Sequence, residues 1–176
     1  MKNNWQVVLA GDGGQGLIVG GRILAYAAIL EGKNAVQTQS YGIAARGGYS
    51  EAQVLISEGE VYSPKCEKPN LVLALTQTAY DRYYEQVDKD CLIIYEKDVV
   101  TPKRARNDLG YPFKETCLEV GSLKVINVLF LGVILKNMSI VKEDSMVDAI
   151  KEMLPPKIHA LNLKAFYKGF NPTNLA

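Results

Sequence analysis

Residues 5–16 read Trp-Gln-Val-Val-Leu-Ala-Gly-Asp-Gly-Gly-Gln-Gly, an apolar run that predicts a buried strand followed at once by glycines. Gly11, Gly13 and Gly16 have the G-x-G-x-x-G spacing, in which glycine permits a tight turn, lets the backbone approach an anion and lets the next helix pack closely. The amides at the start of that helix would face the ligand. Glycines also occur at strand-to-helix turns that bind nothing, so both interpretations stay open. The predicted cofactor-binding loop consists of Gly11, Gly13, Gly14, Gln15 and Gly16.

A dinucleotide site of this kind also needs an Asp or Glu at the end of the second strand, where it binds the ribose hydroxyls. The second predicted strand, residues 35–40, has no carboxylate. Glu31 lies before that strand and closes the preceding helix, which is the wrong side for the ribose. The sequence therefore disfavours NAD binding, and a small stand-alone protein that binds NAD or FAD remains the alternative function.

Length and composition indicate one domain over residues 1–176, long enough for a core of its own. Twenty Lys and Arg balance nineteen Asp and Glu, so the charge gives no indication of nucleic acid or of an acidic membrane surface as partner. Cys66, Cys91 and Cys117 are odd in number and far apart, which argues against disulfides and against metal or iron–sulfur ligation. No apolar stretch is long enough for a membrane span. We expect a cytoplasmic protein with no metal site.

Short apolar runs alternate with helical patterns along the chain. The alternation predicts an α/β fold: a single three-layer domain with a mostly parallel sheet, a Rossmann-like start, a hairpin and C-terminal helices. The hairpin is expected where residues 61–62 would pair with the strand at 50–56 after a turn at 58–60. Residues 98–114 are expected to form an irregular connection. Other strands are predicted near 71–75 and 91–95, and helices near 15–30, 78–87, 123–135, 143–153 and 160–167.

A second cluster of candidate residues is the segment Gln-Ser-Tyr-Gly-Ile-Ala-Ala-Arg-Gly-Gly at 39–48. It follows the second strand, so in an open sheet it would lie beside the first glycine loop, where ligands usually bind. The Arg46 guanidinium, with glycines near it, could bind a phosphate or carboxylate through two hydrogen bonds. It could equally belong to a flexible turn that leads into an antiparallel strand. The predicted binding residues of this segment are Ser40, Tyr41, Arg46, Gly47 and Gly48.

Catalytic machinery is scarce in this sequence. The only histidine, His159, follows a proline pair and is expected at the surface or at a helix start. No Cys–His or Ser–His–Asp set can be argued from the spacings. Gly11-Asp12-Gly13 resembles the opening of a thiamine diphosphate site, but Asn34 is too early and too isolated to complete one. We therefore predict no catalytic residue in this chain.

Three segments together resemble a known family: Gly-Asp-Gly-Gly-Gln-Gly at 11–16, Gln-Ser-Tyr-Gly-x-x-x-Arg-Gly-Gly at 39–48, and Asn-Leu-Val-Leu-Ala-Leu-Thr-Gln-Thr-Ala-Tyr at 70–80. The joint pattern is similar to the gamma subunit of 2-oxoacid:ferredoxin oxidoreductases, above all the 2-oxoglutarate type. It continues through 126–132 and 162–166 and so covers nearly the whole chain. Asp12, where the family usually has an apolar residue, and Ile43-Ala44, where it usually has Pro-Glu, depart from the pattern.

The resemblance implies a part of an enzyme that is inactive alone. In this family, alpha and beta chains hold thiamine diphosphate with Mg²⁺, decarboxylate 2-oxoglutarate, pyruvate or a related 2-oxo acid, and leave acyl-CoA and CO2. Electrons pass through iron–sulfur clusters on other subunits to ferredoxin. The gamma chain packs against the alpha and beta chains, and against a delta chain where one is present, near the coenzyme A entry.

From this resemblance, residues 11–16 and 40–48 either contact the coenzyme A phosphates or shape a subunit contact over the active site. A third possibility is a scaffold whose glycine loops serve only packing. Because such a chain would bury apolar surface against its partners, we expect exposed apolar residues and self-association of the isolated chain.

Overall fold

The computed structural model describes residues 4–41, 48–61, 63–103 and 108–171. Its strands are β1 (Asn4–Asp12), β2 (Asn34–Tyr41), β3 (Tyr49–Ser57), β4 (Leu71–Ala74), β5 (Leu92–Glu96) and β6 (Leu109–Tyr111). Its α-helices are α1 (Leu17–Leu30), α2 (Gln77–Tyr84), α3 (Phe113–Val120), α4 (Ile126–Asn137), α5 (Glu143–Met153) and α6 (His159–Phe170). Short 3-10 turns at Leu123–Val125 and Pro156–Ile158 precede α4 and α6.

The strands form one mixed sheet in the order β2-β3-β1-β4-β5-β6. Only β3 runs against the others, because it pairs antiparallel with both β1 and β2, while β1, β4, β5 and β6 pair in parallel. The predicted α/β class and mostly parallel sheet are confirmed. The β1-α1-β2 segment at the start of the chain differs from a simple Rossmann unit, because β3 lies between β1 and β2 in the sheet. Residues 42–48 are too few for a crossover helix, so the chain returns as an antiparallel neighbour.

Helices cover both faces of the sheet, as the three-layer prediction required. Val7 and Leu9 of β1 face a large core shared with α1, α3, α4, α5 and α6. Val8 and Ala10 of the same strand face a smaller core shared with α2. This alternation follows from the two-residue period of a strand, and it places α1 and α2 on opposite faces.

Capping residues define two of the helix starts predicted from the sequence. The Thr76 hydroxyl accepts the Ala79 N–H at 3.3 Å and caps α2. Ser122 accepts the Lys124 N–H at 3.2 Å, and the 3-10 turn it caps leads into α4. His159 is the first residue of α6, as expected, with Nε2 2.7 Å from the Leu154 carbonyl oxygen.

Two local predictions are wrong. Val61 is not in a strand, and the antiparallel partners of β3 are β2 and β1; Tyr62 lies outside the described residues. Residues 98–114 are not wholly irregular, because β6 lies within them and α3 begins at Phe113. A three-residue strand such as β6 has no periodicity to detect and is defined only by its pairing with β5.

The three cysteines are free thiols, and Cys91 and Cys117 are buried. Within the described ranges, no group of three or more His, Cys, Asp or Glu side chains is arranged to hold a metal ion. In the same part of the chain no single helix has the length and apolar character of a membrane span. Within the described residues, one pair of consecutive helical segments has that length and apolar character when the two are taken together. These segments are Phe113–Val120 and Leu123–Asn137, and the chain bends by 118° between them.

Candidate functional site

The glycine loop between β1 and α1 is held by its own polar groups. The Gly13 N–H donates to the Gly48 carbonyl at 2.8 Å, so the structure joins the first glycine loop to the end of the second candidate segment. The Gln15 side chain folds back, and its Oε1 accepts the Asp12 N–H at 2.8 Å. A side chain at Gly11 would collide with that oxygen. The loop therefore has a defined shape before any ligand binds.

The start of α1 is suited to an anion. The residue that precedes it, Gly16, has a φ of 71° and supplies no side-chain cap, and the first turn has no acidic residue. The first amides of a helix have no partner inside the helix and carry its positive dipole end. Such an end attracts phosphate or carboxylate groups.

Gly16 also leaves space for a neighbour from α4. A Cβ built on Gly16 would lie 2.8 Å from Asn127 Cβ and 3.2 Å from Asn127 Cγ. We predicted that the third glycine of the motif permits packing of α1 on the strand, but here the space is taken by a side chain of another helix. Gly21 is the α1 glycine that lies against the sheet, near Val54 and Ala52.

A cavity of about 350 Å³ opens next to this loop, and we call it the loop cavity. It lies at the carboxyl ends of β1 and β4, where the chain turns from β1 to α1 on one face and from β4 to α2 on the other. Such a point, where neighbouring strands connect to opposite faces, is the usual ligand position in open α/β sheets. Its lining residues are Asp12, Gly14, Gln15, Leu75, Thr76, Glu96, Val99, Lys114, Leu123 and Ile126.

The charges in the loop cavity have different roles. Glu96 is buried, and its carboxylate accepts the backbone N–H of Lys114 at 2.8 Å. It thereby caps the start of α3, because the preceding residue, Pro112, has no side-chain group that can accept a hydrogen bond. Burial raises the pKa of Glu96 above its usual value. The Lys114 side chain contributes a positive charge, and exposed Asp12 contributes a negative one. Lys114 and Glu96 are not among the predicted site residues, because α3, which contains Lys114 and is capped by Glu96, was not predicted.

Ser40 lies apart from the loop cavity. It is on β2 opposite Glu51 of β3, and Glu51 in turn is opposite Ala10 of β1. Ser40 lines a second cavity of about 480 Å³, the β2–β3 cavity. The other lining residues are Thr38, Gln39, Glu51, Gln53, Pro64, Lys65, Cys66 and Arg82.

Glu51 is the buried charge of the β2–β3 cavity, with only 3% of its surface exposed. The Tyr49 hydroxyl donates to one of its oxygens and Gln53 Nε2 donates to the other at 2.7 Å. Burial, and then the hydrogen bond and charge of Glu51, raise the pKa values of Tyr49 and Tyr83. Arg82 lies over the Tyr49 ring at 4.8 Å.

We predict that the protein loses stability as the pH rises above about 9. Burial raises the pKa values of Tyr49, Tyr80 and Tyr83 above the usual 10, and those of Cys66 and Cys117 from 9.0 to about 12. A group whose pKa is higher in the folded state than in the unfolded state stabilises the fold. Its full contribution to the free energy of unfolding is present below the unfolded-state pKa and is lost as the pH rises through the folded-state pKa. Urea midpoints measured from pH 7 to pH 11 should fall, with the decrease beginning near pH 9. A urea midpoint that does not change between pH 9 and pH 11 would contradict this prediction.

The predicted binding residues that the structure describes are thus divided between two places. Gly11, Gly13, Gly14, Gln15, Gly16 and Gly48 lie in or against the loop at the end of β1. Ser40 lines the β2–β3 cavity, and Tyr41 ends β2. Arg46 and Gly47 lie outside the described residues.

The fold and its crevice define a doubly wound α/β protein. Residues 6–171 match the pyruvate ferredoxin/flavodoxin oxidoreductase family, and the chain belongs to that family. It is 39% identical over 171 residues to 2-oxoglutarate synthase subunit KorC of Archaeoglobus fulgidus, a match that covers 97% of this chain and 88% of that one.

Two solved structures share the fold. The gamma subunit of a keto/oxoacid ferredoxin oxidoreductase from Geobacter sulfurreducens PCA is 35% identical, with a TM-score of 0.81 over 94% of this chain and 96% of that one. A 2-oxoglutarate:ferredoxin oxidoreductase from Magnetococcus marinus, with 2-oxoglutarate, coenzyme A and succinyl-CoA bound, has a TM-score of 0.87. That match covers all of this chain and 32% of the other, and at 21% identity it shows the fold alone.

These findings confirm the gamma-subunit resemblance seen in the sequence. The chain is a subunit of an oxidoreductase complex of this family. The relatives give no support to the alternative of a stand-alone protein that binds NAD or FAD.

Proposed function

We propose that this chain is the gamma subunit of a 2-oxoglutarate:ferredoxin oxidoreductase, which converts the 2-oxo acid and coenzyme A to acyl-CoA and CO2 with electrons passed to ferredoxin. The observation that carries the proposal is the 39% identity to a 2-oxoglutarate synthase subunit over 97% of the chain. Thiamine diphosphate, Mg²⁺ and the iron–sulfur clusters are assigned to the other subunits. The complex would work in the cytoplasm.

Within the complex, we assign the loop cavity to coenzyme A. The start of α1 and the Lys114 ammonium suit a phosphate, and Leu75, Val99 and Ile126 provide apolar surface for the rest of such a ligand. The negative charge of Asp12, which also lines this cavity, would repel an anionic ligand. The competing assignment is a contact with the alpha or beta chain at the same place.

Exposed apolar side chains support a role among other subunits. They include Val19, Ile29, Leu30, Val99, Leu118, Leu123, Met153 and Tyr167. The alpha and beta chains, and a delta chain if present, would cover part of this surface, and the isolated chain would dimerise through it. We expect the chain to unfold as one domain, in a single cooperative transition.

Charge substitutions separate the coenzyme A assignment from the subunit-contact assignment. Lys114→Ala and Arg46→Ala should each raise the KM for coenzyme A about 10-fold or more if the side chains bind phosphate, because a charged hydrogen bond contributes about 1.5–3 kcal/mol. Asp12→Asn should lower that KM. Lys151→Ala, on the exposed side of α5, is the matched control.

The subunit-contact assignment gives a different result. There, KM is unchanged and the variants release the gamma chain from the complex at lower salt, as measured by gel filtration. If neither KM nor assembly changes, both assignments fail and the loops serve packing only.

The identity of the 2-oxo acid is tested with the complex purified from the native cell. The tagged chain is purified anaerobically, its companions are identified, and coenzyme A-dependent viologen reduction is assayed with a panel of 2-oxo acids. Alpha and beta chains with activity on 2-oxoglutarate support the proposal, and activity only on another acid corrects the substrate. A lone, inactive chain that binds NAD or FAD by calorimetry would contradict it.

A further inference from the structure

The outer edge of the sheet at β2 is open. β2 pairs with β3 through eight consecutive residues, Asn34–Tyr41, and it lies at one end of the strand order. In the part of the chain that the structure describes, no strand pairs with the other side of β2, and none of residues 34–40 is buried. An edge strand directs every second pair of backbone N–H and C=O groups away from its sheet. β2 can therefore pair with a further strand.

β2 also lacks the features that usually protect an edge strand. Natural edges are short, carry lysine, other charges or proline, or contain a bulge. Asn34–Tyr41 has no charged residue and no proline, and its pairing with β3 is continuous. The adjacent Lys33 ammonium is bound to Glu31 and to the Ile140 carbonyl, both at 2.8 Å. The opposite edge, β6, has only three residues, and four charged residues precede it at 103–108. Of the two edges, β2 is the one suited to pairing.

The flank of α1 next to this edge is apolar and exposed. A Cβ on Gly21 would lie 3.0 Å from Gln37 Nε2, so this side of α1 lies on β2, whereas Gly20 faces α4. Successive helical residues are about 100° apart, which places Ile29 roughly 80° from Gly21 in the direction away from α4. Ile29 and Leu30 are 51% and 46% exposed. The open edge and these two side chains thus form one surface, which we call the β2 edge surface.

We propose that a second copy of this chain covers the β2 edge surface, with the two β2 strands paired antiparallel about a two-fold axis. The sheet continues through both copies, and Ile29 and Leu30 of each copy are buried against the other. A two-fold axis brings each charge of an interface close to an identical one, and an uncharged strand avoids that repulsion. A different partner chain is more often selected by complementary charges, which β2 does not offer. Arg22, the only charge of α1, is exposed and its long stem lets the guanidinium reach water.

The size of the β2 edge surface fits a weak dimer. β2 has eight residues and α1 has fourteen, which correspond to lengths of about 27 Å and 21 Å. With the helix packed on the sheet, the surface measures about 25 by 20 Å, so two copies bury roughly 1,000 Å² in total. That area is at the lower limit for a specific interface. A dissociation constant in the micromolar range follows.

Sedimentation equilibrium of the full chain tests the proposal. From about 1 to 200 µM the chain should form a reversible dimer with a dissociation constant of about 1–100 µM. Ile29→Lys should raise that constant about tenfold or more, because it places two ammonium groups in a buried contact. Gln39→Lys, at an exposed position of β2, should raise it about fivefold. Circular dichroism verifies that each variant is folded.

Leu118→Lys is the matched control. Leu118 is 60% exposed on α3, which packs against α4 and α6, so its substitution should leave the dissociation constant unchanged. Hydrogen exchange below and above the dissociation constant then identifies the contact. Amides of residues 34–41 should exchange more slowly in the dimer, and those of 113–120 should exchange at the same rate.

Three results overturn the proposal: a chain that is monomeric at about 200 µM, a dimer that Leu118→Lys weakens as much as Ile29→Lys does, or a dimer without protection of residues 34–41. If those amides are protected only in the assembled complex, a strand of another subunit covers the edge and the proposal also fails. These measurements need neither the other subunits nor substrate. The proposed function is tested separately by the activity of the complex, and it stands whichever result is found here.

Discussion

Replacing Gly132 by alanine should lower the free energy of unfolding by about 2–3 kcal/mol, the upper part of the range for overpacking. Gly132 lies on α4 where α6 crosses it, and an added Cβ would be 2.2 Å from the Phe166 carbonyl oxygen and 2.8 Å from the Phe170 nitrogen. Both atoms belong to the α6 backbone, which cannot move without displacing the whole helix. The loss exceeds the ~1 kcal/mol that alanine gains over glycine in a helix.

Gly169 is the reciprocal position on α6. A Cβ there would lie 2.4 Å from the Leu129 carbonyl oxygen and 3.0 Å from the Val133 nitrogen of α4. Gly169→Ala should therefore cost a similar amount. The two costs should not add in the double variant, because once one alanine has separated the helices the second has more room.

Urea unfolding of the three variants measures these costs. Gly59→Ala is the control, since a Cβ there meets only Ser57 Oγ at 3.8 Å, an ordinary contact. It should change stability by less than about 0.5 kcal/mol. Additive losses in the double variant, or a Gly132→Ala protein as stable as the control, would show that α4 and α6 are not packed backbone to backbone.

Gly16→Ala should also lower the free energy of unfolding, by about 2–5 kcal/mol. Alanine costs roughly 1–2 kcal/mol at a φ of 71°. Its Cβ would in addition lie 2.8 Å from Asn127 Cβ, and such overpacking adds about 1–3 kcal/mol.

Gly14→Ala separates the two causes. Gly14 has a φ of 95°, but no atom lies within 4 Å of its added Cβ, so only the backbone strain applies. The difference between the two variants in denaturant unfolding is the cost of the Asn127 contact. Equal losses would mean that Gly16 is required for its backbone conformation alone.

Local patterns predicted most of the fold. The apolar run that became β1 and the strand predicted at 50–56 each depend on neighbours close in sequence, and each is confirmed. Glu31 also lies where expected, at the end of α1, paired with Lys33 at 2.8 Å. Such features follow from backbone geometry and side-chain period, which a single segment contains.

The candidate site was predicted only in part. The glycine loop and its contact with Gly48 agree with the expectation from the sequence, since both follow strands that end at the same edge. The insertion of β3 moved Ser40 into a different cavity from Gly14 and Gln15. Strand order depends on which segments meet across the sheet, and that is not encoded within either segment.

The sequence by itself determined the α/β class, the family and the position of the anion-suited helix start, because glycine spacing and apolar periodicity act over a few residues. Only the tertiary structure brought Asn127 of α4 against Gly16, and Lys114 and Glu96 into the loop cavity. These residues are about 80 to 110 positions from the glycine loop. They reach it because the burial of the sheet faces brings α4 against α1 and α3 against α4, a condition that the whole core satisfies together.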